Sequence, residues 1–280
     1  MAVVLALVSA VVYGTSDFLG SLASRRAPVP GVVATVQASG LLALVVLLPW
    51  LGGPVTVSDV LWGAAAGLAG GTGLIVFFRA MSTGQMSVVA PTTAVSSAAV
   101  PVLVGLAGGD RVGVLAAAGI GVALLAVVLI SAEDGVRALR AARPASLLPA
   151  LLAGVPFGLF FVLLAQTSPD ARLSPLVASR LTSVMLVLVV AGLGRQSVRV
   201  PARVGPLVVA SGVGDVSANA LYLLATHHPG QLAIIGVLAS LYPASTVVLA
   251  QLVLRERLAR AQLIGLVAAV AAVTLIAVRG

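Results

Sequence analysis

The chain has 280 residues, 60% hydrophobic and only 9% charged, with a mean hydropathy of +1.18 and a formal net charge of +8. A soluble domain carries roughly a quarter charged residues, so this composition excludes a water-covered surface and points to an all-α integral membrane protein. All 16 basic residues are arginines that fall almost entirely between apolar runs, which suits headgroup anchoring and topology rather than nucleic acid, and zero cysteines remove disulfides, thiolate-held metals and thiol catalysis.

Apolar runs of about 20 residues, each long enough to cross ~30 Å of hydrocarbon as a helix, recur ten times. The first span is expected over residues 2–23 and is read as retained, because no basic leader or small-residue cleavage site accompanies it. It ends at Arg25-Arg26-Ala27-Pro28, and the second, 29–51, is closed by Gly52-Gly53-Pro54. The third, 59–81, carries a ladder of Gly63, Gly67, Gly70, Gly71 and Gly73 that permits close helix contact. The fourth, 86–107, is interrupted by Pro91 and Pro101, and the fifth is 112–132. A polar linker, 133–145, carries Arg137, Arg140 and Arg143. The remaining spans are expected over 146–166, 174–193, 204–226, 231–254 and 261–278. Trp50 and Trp62 lie near span ends, as interfacial anchors do.

The stretch 84–131 is read out again 146 residues later as 230–277, with 13 of 48 positions identical and no gap. The weight rests on the polar and glycine coincidences: Gly84-Gln85 with Gly230-Gln231, Asp110-Arg111 with Glu256-Arg257, and Gly119 with Gly265. This predicts an internal duplication, with residues 1–132 and 146–280 as two five-helix repeats. An odd number of spans per repeat inverts the second copy, a build used by secondary transporters around a mid-membrane site.

Leu238-Ala239-Ser240-Leu241-Tyr242-Pro243, followed by Gln251 to Leu258 and then Gln262 and Gly265, resembles the EamA domain of the drug/metabolite transporter superfamily. Tyr13-Gly14-Thr15-Ser16-Asp17-Phe18 is similar to that family's first helix. The resemblance implies ten helices in two inverted repeats around a central cavity, and movement of a small organic metabolite, often outward. It implies no enzyme and no cofactor, and it leaves the substrate open among amino acids, sugars, nucleotide sugars and drugs. The two copies depart from one another where Ser97 stands against Pro243, and Gly108-Gly109-Asp110 against Leu254-Arg255-Glu256.

Charges inside spans usually face a cavity or a partner. Asp17 and Asp215 are the carboxylates placed within spans. Each could bind a substrate amine or take up a proton; alternatively Asp17 pairs with an arginine and Asp215 bonds within its own turn. Arg180 matches Gln37 by the local likeness of Arg180-Leu181-Thr182 to Gln37-Ala38-Ser39. Its guanidinium could hold a carboxylate bidentately, neutralise Asp17 or Asp215, or snorkel to the interface. Thr93 and Ser97 near Pro91, and Tyr242 beside Pro243, accompany helix breaks that suit a cavity wall, unless the hydroxyls only bond back to their own helices. Tyr13, Ser16 and Phe157 join the candidates, as do Asn219 and Tyr222, which with Asp215 fall on one helix face.

His227-His228 cannot readily chelate one ion together and no third ligand stands nearby, so no metal is expected. No phosphate loop for direct ATP drive is present. The expectation is a multi-pass plasma-membrane transporter whose partners are a small-molecule substrate, the lipid bilayer and, if it is coupled, protons. An uncoupled facilitator and a non-transporting accessory subunit remain as alternatives. The arginine count of alternate loops places both termini outside, whereas the family implies both inside.

Overall fold

Backbone N–H and C=O groups cannot stay unpaired in hydrocarbon, so an apolar run of this length closes its hydrogen bonds within itself. The computed structural model describes residues 1–83, 86–131, 144–228, 231–255 and 258–277, and these are helical apart from their connections. The helices are α1 (Ala2–Ser24), α2 (Val29–Leu51), α3 (Val57–Thr83), α4 (Met86–Ala107), α5 (Val114–Ser131), α6 (Pro144–Leu164), α7 (Pro175–Leu193), α8 (Gly205–Thr226), α9 (Leu232–Ala239), α10 (Tyr242–Leu254) and α11 (Arg260–Ala277). Among the described residues, eight stretches are long and apolar enough to cross a membrane, with 232–254 forming one of them. Shorter apolar stretches, Thr93–Ala107 and Gly154–Leu164, lie in α4 and α6.

The ninth expected span is thus two helices rather than one. Pro243 has no N–H and its ring claims the space of the carbonyl four residues back. The first helix accordingly stops at Ala239 and the second begins with Pro243 in its first turn. Leu241 N–H to Leu238 O (3.2 Å) and Ala244 N–H to Leu241 O (2.9 Å) bridge the break with tight three-residue steps. The polar linker expected over 133–145 falls mostly outside the described residues, and α6 begins at its end, at Pro144.

Helix α1 packs on α8, α9 and α10; α3 packs on α6 and α7; α4 packs on α6 and α9; α2 packs on α7 and α8; and α5 lies along α11. The core is most closed around α9, where Ala233 through Ala239 are all buried. The glycine ladder of α3 works as expected. Gly63, Gly67 and Gly71, spaced by four, face Pro175, Ser179 and Ser183 of α7, while Gly70 and Gly73 face Phe160 and Phe157 of α6. A Cβ on Gly67 would overlap the Ser179 carbonyl, and its absence lets Thr182 reach across to donate to Ala64 O at 3.1 Å. Along α5 and α11, Gly119 faces Leu275 and Ile276 while Gly265 faces Leu129 and Ile130.

Candidate functional site

Six polar side chains from four helices form one connected chain at mid-span. Arg180 on α7 is buried and ion-paired with Asp215 on α8. The same guanidinium donates to Gln37 Oε1 on α2, and Gln37 Nε2 donates to Ser183 Oγ, one turn from Arg180. Asn219 Nδ2 donates to the Asp215 backbone oxygen at 2.7 Å and lies 3.4 Å from its carboxylate. Tyr13 of α1 closes the chain by donating its hydroxyl to Asn219 Oδ1 at 2.6 Å. A buried ion is tolerated only when paired and hydrogen-bonded, and each member here supplies what its neighbour lacks.

These contacts select among the alternatives left by the sequence. Arg180 does not snorkel, being only 5% exposed, and its charged partner is Asp215 rather than Asp17. Gln37 and Arg180, paired by sequence likeness, touch directly. Asp17 has no ion pair among the described residues. It is exposed on a helix that packs against four others.

Aromatic rings wall the cluster. Tyr13 meets Phe161 edge-on at 6.0 Å and Tyr242 at 6.4 Å, and Phe161 meets Tyr222 at 4.6 Å. Tyr222 is fully buried and donates to Phe161 O at 3.2 Å, which makes it a brace between α8 and α6. Other candidates are placed differently. Ser16 donates to Ser211 O at 2.5 Å and Ser211 donates back to Ser16 O at 2.8 Å, which ties α1 to α8. Ser97 bonds back to Ala94 O of its own helix at 2.9 Å. Thr93 is buried in α4, and Phe157 lies against Gly73. His227 caps α8 and is held below the ordinary histidine range by burial and by neighbouring His228; no metal-binding group of three or more ligands exists among the described residues.

Two features escaped the sequence reading. One is Ser183, which lies three residues after Arg180 on a face shared with Ser179, a spacing that could have found it. The other is a polar clasp where the α2–α3 and α6–α7 connections meet. Asp59, 2% exposed, accepts from Thr56 N (2.9 Å) and Oγ1 (2.7 Å), and across the chain from Ser168 N (2.7 Å) and Oγ (3.1 Å). Ser174 Oγ accepts from Gly53 N at 3.0 Å and donates to Gly53 O at 2.9 Å, beside a single antiparallel bridge between Gly52 and Arg172. Thr56-x-x-Asp59 is a capping box in sequence, but its cross-chain partner, 109 residues away, is not readable there.

Helices enough to cross a membrane repeatedly, with a charged and hydroxyl-rich network held among them, define a multi-pass membrane protein with a polar interior site. Residues 1–132 match the model of the EamA-like transporter family, in keeping with the drug/metabolite transporter superfamily, whose members are transporters. A solved crystal structure shares the fold, with a TM-score of 0.78 at 18% sequence identity, covering 99% of this chain and 96% of its own. No curated protein matches the chain.

Proposed function

We propose that the chain is a secondary transporter of the plasma membrane that exports a small zwitterionic metabolite, such as an amino acid, by alternating access. The carrying observation is the buried Arg180–Asp215 pair, tethered by Gln37 and Asn219, with Asp17 on α1, the helix that supplies Tyr13 to the same network. A substrate carboxylate takes a guanidinium fork from Arg180, its ammonium takes Asp17 or the released Asp215, and the aromatic wall of Tyr13, Phe161 and Tyr242 accepts the remainder. The exchange keeps Arg180 paired and leaves one of the two carboxylates without a cation, the group that a proton would neutralise. Uptake of a proton at Asp17 or Asp215 couples the return step.

Two rigid halves suit this cycle, and one observation supports reading residues 1–132 and 146–280 as inverted repeats. The pairs Gly119–Ile276 and Gly265–Ile130 exchange places under the 146-residue correspondence, as contacts across a two-fold axis do. The clasp around Asp59 ties the end opposite the α1–α2 turn, while Asp17 is exposed in the half of α1 nearer that turn.

The test is a thermal-shift screen of purified protein against amino acids, amines, sugars and nucleosides, followed by proteoliposome flux of each hit with and without a pH gradient. Wild type, Asp17→Asn, Asp215→Asn and Arg180→Gln are compared. An amino-acid hit is expected, with binding lost in R180Q and gradient-driven flux lost in one aspartate variant. Flux indifferent to the gradient and to both aspartates leaves an uncoupled facilitator. Confirmed binding with no flux makes the chain an accessory binding subunit.

A further inference from the structure

The α1–α2 turn and the segment 194–204 between α7 and α8 lie at one end of the helices and meet there. A Cβ on Gly31, in the first turn of α2, would lie 2.9 Å from the Val198 carbonyl carbon, so the two segments are in contact. Together they display Arg25 and Arg26 from one side and Arg195, Arg199 and Arg203 from the other, all exposed or nearly so. Among the described residues no carboxylate pairs with Arg26, Arg195, Arg199 or Arg203. Arg111 and Arg172 lie at the opposite end, where Asp59, Asp110 and Asp170 stand in or beside the connections.

Arg26 and Arg203 line one cavity of about 390 Å³ together with Val204. Val204 is buried in a separate apolar cluster with Ala23, Val32 and Val208, edged by Ala27, Val200 and Leu207. Two guanidiniums therefore stand beside the partly exposed apolar edge formed by Ala27, Val200 and Leu207, at the ends of α1 and α8. A free phosphate has use for the first of these features only. A phospholipid uses both, its phosphate accepting from the arginines and its glycerol and first methylenes lying over that edge.

We propose that Arg26 and Arg203 form a binding site for the headgroup of an anionic phospholipid, seated in the cavity over Val204. The site is independent of the mid-membrane network and of whatever that network carries.

The test is native mass spectrometry of the full chain released from nanodiscs of phosphatidylglycerol and phosphatidylcholine mixed in equal amounts. Preferential retention of phosphatidylglycerol is expected, falling about five-fold in Arg26→Gln and again in Arg203→Gln, the change for one arginine at an anionic surface. Arg26→Lys and Arg203→Lys are expected to keep most of the retention, and Arg111→Gln, at the other end, all of it. Lipid held in the presence of excess inorganic phosphate supports the headgroup site. Equal retention of both lipids, retention unchanged in the R26Q/R203Q double variant, or displacement of the lipid by phosphate alone would each overturn it. Melting temperatures of the glutamine variants separate loss of the site from loss of the fold.

Discussion

Helix α4 and the α9–α10 pair correspond at a spacing of 146 residues, yet one runs unbroken and the other is cut in two. The difference lies at one corresponding position, Ser97 against Pro243. In α4 the serine keeps its N–H in the ladder and folds its hydroxyl back onto Ala94 O. In the other region the proline ends the helix at Ala239 and starts a new one. The new helix turns Tyr242 toward Tyr13 and sets Ser245 and Thr246 against α1, where they donate to Ala10 O (3.2 Å) and Gly14 O (3.0 Å). One region is a strut, and the other is a jointed element touching the helix that carries Asp17. Composition alone does not make that distinction, since α4 holds prolines too: Pro101 lies inside it without ending it.

The sharpest way to break this comparison is to give α4 the joint. Ser97→Pro removes an interior hydrogen bond and crowds the preceding turn, and a loss of about 3 kcal/mol or more is expected, read as a large fall in melting temperature in detergent. An unchanged melt would mean that α4 is not held as a continuous helix. The reverse change, Pro243→Ser, restores one N–H and is expected to hold or raise stability by about 1 kcal/mol while reducing ligand-driven flux, because a rejoined helix carries Tyr242 away from Tyr13. Intact flux with a raised melt would detach the joint from function.

The ends of the two regions offer smaller tests. Asp110, just beyond α4, caps α9 by accepting from Ala233 N–H at 2.9 Å. Asp110→Ala is expected to lose about 1–2 kcal/mol, while Asp110→Asn keeps most of it. Both regions close on a left-handed residue at corresponding positions, Gly109 at φ 94° and Arg255 at φ 57°. Glycine suits that geometry and arginine is strained in it. Gly109→Ala is therefore expected to destabilise by about 1 kcal/mol and Arg255→Gly to stabilise by about 0.5 kcal/mol. Shifts of the same sign in both variants would contradict the left-handed ends.

Much of this was legible from residue order. Span limits followed from apolar length, the α3 ladder from glycine spacing, and the face of Asp215 and Asn219 from a four-residue step. Arg180 and Gln37 were matched across the halves through three residues of likeness, and they touch. What the sequence left open was partnership over distance. Asp215 rather than Asp17 receives Arg180 because of how α2 lies against both α7 and α8, which no local pattern encodes. The Asp59 clasp hid for the same reason: half of it is a local cap, and Ser168 reaches it from another connection. Ser97 and Ser16 looked like cavity hydroxyls because a hydroxyl's bond back to its own helix, or across to a neighbour's backbone, leaves no mark in the residue list.

The mid-membrane ion pair also bears on how the chain enters the bilayer during synthesis. A charge within an isolated helix adds up to about 2.5–3.5 kcal/mol to its insertion, and Arg180, in the first half of α7, puts such a cost on an otherwise strongly apolar span. The partners arrive in order: Gln37 on α2 is already in place when α7 emerges, and Asp215 follows on the very next span. Arg180 thus meets a dipole first and a counter-charge second. A chain cut off after α7 would hold its arginine with only half of its partners, and complete integration of α7 awaits α8.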